Sequence, residues 1–105
     1  MPSKGLKGLK VVQTKEITRE GLQKELKQEG FNSYEWSDSP GAYYPCHSHE
    51  YNECICVISG KMSFFVEGNE YELAAGKKLY LPAHTIHEAK NKGNEKVTYL
   101  IGEMN

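Results

Sequence analysis

Apolar residues recur along this chain with two different periods. In residues 17 to 30, ITREGLQKELKQEG, leucines at 22 and 26 stand four apart among charged side chains, the spacing of one helical face. Thr18 is a suitable N-cap and Gly30 suits the C-terminal cap. A single narrow apolar stripe predicts a helix lying on a surface rather than threading a core. From Phe31 onward the period changes. FNSYEW is followed by the turn SDSPG, and CICVIS, KMSFFVE, EYEL, KLYLP and KVTYLI read as strands, being rich in aromatic and β-branched residues. Ser59-Gly60, Gly68-Asn69, Ala75-Gly76 and Lys92-Gly93-Asn94 mark the turns. Many short strands separated by frequent turns predict an antiparallel sandwich or small barrel. CICVI is apolar at both parities, as a strand covered on both faces must be.

This divides the chain into an N-terminal arm (1–16) with one apolar pair, Val11-Val12, a helix (17–30) and an all-β region (31–105). At 105 residues there is material for one core and not two. A formal net charge of -1 gives no bulk drive toward nucleic acid or anionic lipid. The lysines at 4, 7 and 10 lie in a segment without the apolar run of a secretory signal, so a solvated terminus is expected there. No stretch approaches the roughly 18 apolar residues of a membrane span. Three cysteines are too few for a disulfide framework, and a reducing cytoplasm is the expected compartment.

The chemistry concentrates in YYPCHSHEYNECICVISG, residues 43 to 60. Its polar groups can be metal ligands, acid–base groups, or polar side chains crowding a strand. On a strand, His47 and His49 share one face and Cys46 and Ser48 the other. Glu53 has the same parity as the histidines, but an extended chain from 47 to 53 spans roughly 20 Å. Bonds of about 2 Å to one ion therefore require a bend, which EYN can supply because Asn52 tolerates turn conformations. The next strand can then run back beside the first. A second stretch, LPAHTIHEAKN, begins another strand at His87. Laid alongside, His87 completes three nitrogens and one carboxylate, a set that suits a borderline divalent metal and leaves positions open. With Glu53 facing the histidines, Cys54 and Cys56 face away, as small buried apolar groups.

In GAYYPCHSHEYNECICVISG, residues Gly41, His47, His49, Glu53 and Gly60 resemble the first motif of the cupin superfamily. In GKKLYLPAHTIHEAKN, Gly76, Pro82, His87 and Asn91 resemble the second. The resemblance implies a jelly-roll β-barrel of six to eight strands per subunit, often a homodimer, with a metal inside. By position its ligands are His47, His49, Glu53 and His87, and one divalent transition-metal ion per subunit is implied: iron, manganese, nickel, copper, zinc or cobalt. One position departs from the pattern, since the second motif usually has glycine where this chain has His84, a side chain expected at the surface. Glu50, Tyr51 and His84 are the candidate catalytic acid–base residues, with Tyr43, Tyr44 and Glu88 also near the ligands. The ligand set slightly favours a metalloenzyme with dioxygenase-like oxygen chemistry on a small-molecule substrate. A metal-dependent isomerase, lyase or decarboxylase follows closely, and a non-catalytic binding or sensing module is the alternative of another class. Val11-Val12 and the outer sheet are the expected dimer contacts, and neither nucleic acid nor membrane is an expected partner.

Overall fold

The computed structural model describes residues 8–16 and 18–104. Residues 1–7, with two of the arm's lysines, and Ile17, the expected first helical residue, lie outside that set. In chain order the elements are β1 (Lys10–Gln13), α1 (Arg19–Gln28), β2 (Asn32–Asp38), β3 (Tyr43–His47) and β4 (Asn52–Ser59). They continue with β5 (Met62–Val66), β6 (Asn69–Leu73), β7 (Lys77–Leu81), β8 (His87–Lys90) and β9 (Val97–Met104). The strands form two antiparallel sheets facing each other as a jelly-roll sandwich, one ordered β1-β7-β4-β9-β2 and the other β3-β8-β5-β6. No described helix is long and apolar enough to cross a membrane.

The helix is shorter than its sequence pattern and is capped as read. Thr18 Oγ1 accepts from the Gly21 N–H at 3.0 Å, satisfying one orphan donor of the first turn. At the other end Gly30 adopts φ 96°, which a residue with a Cβ resists. The Phe31 N–H donates to Leu26 O at 2.9 Å and the Gly30 N–H to Lys27 O at 3.0 Å. These are the paired bonds of a Schellman ending, and they swing Phe31 back onto Leu26. Leu22, Leu26 and Phe31 then pack with Cys54, Cys56 and Leu100 on the outer face of the five-stranded sheet. The two thiols are free and buried, as parity predicts, and β4 is covered on both faces.

Alternate residues of β4 turn inward. Ile55 and Val57 join Leu79, Leu81 and Tyr99 of their own sheet against Met62, Phe64, Val66, Leu73 and Ala89 of the other. What reads as an arm contributes a further strand, β1, paired with β7 from Lys10↔Tyr80 to Gln13↔Lys77. Its backbone groups cover an otherwise open sheet edge, a need that apolar spacing does not reveal. With β1 the described residues hold nine strands, more than the six to eight the resemblance implies. The β5–β6 turn falls one residue earlier than read, on Glu67 and Gly68 with φ 50° and 81°. Two positive φ values in a two-residue loop match the twist of a hairpin.

Lys78 also faces the helix. Its buried ammonium donates to Glu25 Oε1 at 2.7 Å and Glu29 Oε2 at 2.8 Å, while Thr14 Oγ1 donates to Glu25 Oε2 at 2.8 Å. Strand, helix and the segment after β1 are thereby joined. Leu26 is wholly buried, so Leu26→Ala is expected to lower unfolding free energy by about 2–5 kcal/mol, read from urea denaturation. A loss under about 1 kcal/mol, well below that range, would show that the helix is not docked as described.

Candidate metal centre and its cavity

Three imidazoles and one carboxylate meet between the sheets, delivered by four separate local arrangements. His47 ends β3 and stands directly opposite His87, which opens β8. The β3–β8 register shifts between Tyr44 and His47, with Pro45 inside the irregularity. An edge strand is where proline is tolerated, and such a bulge re-aims the residues that follow. His49 lies beyond β3 in the connection to β4. The sharp bend falls at Glu50 and Tyr51, because Asn52 already belongs to β4. Asn52 instead braces a neighbouring loop, its Oδ1 accepting from the Ala83 N–H at 2.9 Å.

Glu53 does not reach the histidines from a strand paired with β3. Strand β4 belongs to the other sheet, so the carboxylate meets the imidazoles across the sandwich. The idea of β4 running back beside β3 is corrected accordingly: the chain between them changes sheets instead of forming a hairpin. Glu53 Oε2 lies 3.8 Å from His49 Nε2 and Oε1 lies 3.9 Å from His87 Nε2. One nitrogen from each of His47, His49 and His87 falls within 4.8 Å of the others.

The remaining ring nitrogens set the tautomers. His47 Nδ1 donates to Pro45 O at 2.7 Å, and His87 Nδ1 to Thr85 O at 2.8 Å. His49 Nδ1 and the Tyr51 hydroxyl are 3.2 Å apart, with the two rings stacked at 5.0 Å. A proton held on Nδ1 leaves the Nε2 lone pair for coordination. Burial lowers the pKa of His87, and burial with the neighbouring His47 lowers that of His49, which favours the neutral, ligating form. Two ligands of one ion with bonds of about 2 Å are at most about 4 Å apart, so the donor set fits a metal after shifts of under about 1 Å. Three nitrogens and one oxygen suit a first-row divalent ion.

A cavity of about 260 Å³ opens beside these four side chains, small by the standard of ligand pockets. Its walls include Tyr34, Trp36, Tyr44, Phe64 and Tyr99, with Ile55, Ala89 and Ile101 between them. Tyr51 also lines it, the one member of the acid–base trio that the structure brings there. Glu50 and His84 are exposed, and neither borders the cavity. His84 holds φ 67°, the conformation for which glycine is usual at this motif position. Its N–H donates to His49 O at 2.7 Å, so its backbone anchors a ligand loop while its imidazole points to solvent. Tyr43 bonds Glu88 on the exposed surface, and Cys46 is exposed as well.

Sequence reading missed Glu103. It stands opposite Glu53 on β9 and accepts from the Tyr34 hydroxyl at 3.1 Å. Register across two paired strands was the only signal for it. Burial first, and the Glu103 charge second, push the Glu53 carboxyl up to about 7.

Residues 34–102 match the Cupin domain family, and the chain belongs to that family. A comparison with proteins of curated function found no match. Among solved structures the chain is similar to the DMSP lyase DddQ from Ruegeria pomeroyi DSS-3, at 22% identity and a TM-score of 0.65. The alignment covers 72% of this chain and 39% of that one, so the chain corresponds to well under half of the lyase's length. It is also similar to the polyketide cyclase RemF from Streptomyces resistomycificus, at 23% identity and TM-score 0.63, covering 71% of this chain and 55% of that one. A Cupin 2 conserved barrel domain protein from Salinispora arenicola CNS-205 aligns over 92% of this chain and 76% of its own, at 17% identity and TM-score 0.65. At these identities the likeness speaks to the fold.

The Glu53 shift gives a signed pH prediction for metal-stripped protein. A carboxyl raised from 4.5 to about 7 on folding adds stability that is complete below 4.5 and lost as pH rises through 7. In EDTA-treated samples the parent is therefore expected to lose stability relative to Glu53→Gln across that window, and to hold level above it. Parallel stability curves for the two proteins would refute the burial of this carboxyl.

Proposed function

We propose that this chain is a metal-dependent enzyme acting on a small oxygen-bearing molecule, by non-redox chemistry of the lyase, isomerase or cyclase kind. The carrying observation is the convergence of the three imidazole nitrogens and the Glu53 carboxylate on a small aromatic-walled cavity. His47, His49, Glu53 and His87 would hold the ion. When bound, a divalent ion supplies Lewis acidity toward a substrate oxygen.

The chain's own residues supply positioning and a proton. Tyr51 lines the cavity and keeps its phenolic proton through the neutral range, because burial and the charges of Glu103 and Glu53 push its pKa up to about 12. It is thus a donor in place, and its phenolate is a strong acceptor once the proton has moved. The aromatic walls limit the size of the substrate. Similarity in fold to proteins described as a DMSP lyase and a polyketide cyclase supports this class ahead of oxygen chemistry. Dioxygenase-like turnover would use the same four ligands, and oxygen uptake distinguishes it.

Metal content by mass spectrometry is the first test. About one equivalent is expected in the parent, and its loss from folded His49→Ala and Glu53→Ala; little metal even after reloading would reject the ligand assignment. In a panel of small hydroxy, keto and carboxylic acids, Tyr51→Phe is expected to retain metal yet lose about 100-fold or more in kcat. Unchanged kcat in that variant would remove Tyr51 from the reaction, and oxygen uptake coupled to turnover would move the protein to the dioxygenase class.

A further inference from the structure

Asp38 is a buried carboxylate that the metal site does not use. It is only 7% exposed and sits behind the cavity wall. Its Oδ1 accepts from the Tyr44 hydroxyl at 2.6 Å and from Trp36 Nε1 at 3.2 Å, and its Oδ2 from the Tyr99 hydroxyl at 2.5 Å. All three donors belong to rings that line the cavity. Trp36 Nε1 also lies 3.1 Å from the Tyr44 oxygen. Burial and the Asp38 charge raise the pKa of both tyrosines, which keeps them protonated as donors.

Strand register places this group apart from the metal ligands. Glu53 pairs with Glu103, Ile55 with Ile101, and Val57 with Tyr99, which in turn pairs with Trp36. The Trp36–Tyr99 level is therefore four residues along the sheet from Glu53, about 13 Å. At that end the polar atoms of three rings are committed to Asp38, which leaves the carbon surfaces of the rings to line the cavity. Among the described residues no cation pairs with Asp38, and no lysine or arginine borders the cavity. A buried carboxylate ordinarily has a cationic partner. Donation of Tyr and Trp protons to a carboxylate also makes the rings richer in electrons, the condition that favours a cation over a neutral group on the ring face.

We propose that this end of the cavity is a subsite for a small organic cation of the alkylammonium type, held on Trp36, Tyr44 and Tyr99 and neutralised by Asp38 behind them. The proposal rests on the cavity being the ligand site, and it names the substrate class: an oxygen function at the metal end and a cationic group at the aromatic end.

The chain's single tryptophan is Trp36, so binding can be read from its fluorescence. The probes are choline and its uncharged isostere 3,3-dimethylbutan-1-ol. Choline is expected to give a saturable change with an affinity about tenfold above that of the isostere, an advantage lost in folded Asp38→Asn. Equal or tighter binding of the isostere, no binding of either, or an advantage that survives Asp38→Asn would overturn the proposal. Should Asp38→Asn fail to fold, Tyr44→Leu is to weaken choline selectively; an unchanged ratio there would likewise overturn it. Metal content measured on the same samples separates the two readings. One equivalent of metal without choline preference overturns the cation subsite alone, whereas choline preference in protein that takes up no metal supports the subsite and removes the metal reading.

Discussion

Glu53 is the residue whose burial the rest of the site must answer. A carboxylate between two apolar sheets carries a desolvation cost of several kcal/mol unless something charged or donating meets it. Here it meets His49 and His87, whose burial favours the neutral imidazole, and beside it stands another carboxylate, Glu103, at the paired position on β9. Neither neighbour relieves it. Each histidine turns its Nε2 toward the same point because its Nδ1 is occupied elsewhere, by a main-chain carbonyl for His47 and His87 and by a phenol for His49. Four lone-pair donors aimed at one another make an arrangement that a divalent cation would complete.

Everything around that point serves its geometry. The bulge at Pro45 sets His47 opposite His87. The left-handed residue His84 ties its N–H to the His49 carbonyl, and Asn52 holds the same 82–84 segment through Ala83. The two loops thus brace each other through one backbone–backbone bond and one bond to the Asn52 side chain. On the far face, α1 and the Lys78 ion pairs keep β4 and β7 covered, so the strand carrying Glu53 is fixed from behind as well as from its edges.

The sequence made some of this legible and hid the rest for physical reasons. Period and turn residues revealed α1, most strands and the two-sided burial of CICVI, because burial acts directly on side-chain type. Motif spacing singled out His47, His49, Glu53 and His87, which the fold brings together. It did not reveal that β4 joins the opposite sheet, since a bend between His49 and Glu53 is compatible with either a hairpin or a crossing. Strand β1 was hidden because an edge strand with exposed Val11 and Val12 has no alternation to read. Glu103 and Asp38 were hidden for another reason: their importance comes from neighbours far away in the chain, Glu53 for one and Tyr99 for the other. Sequence offered Glu50 and His84 as chemical by adjacency to the motifs, but their side chains turn to solvent.

The crossing of the chain between His49 and Glu53 has a mechanical consequence. An ion shared by His47 and His87 on one sheet and Glu53 on the other would act as a rivet through the sandwich, fastening its layers at one end. The sheets could then separate only after several coordinate bonds broke together, whereas either layer could still breathe at its far edge. Occupancy would therefore govern how slowly the molecule comes apart, apart from any effect on equilibrium stability. A protein of this build would come apart more slowly loaded than empty.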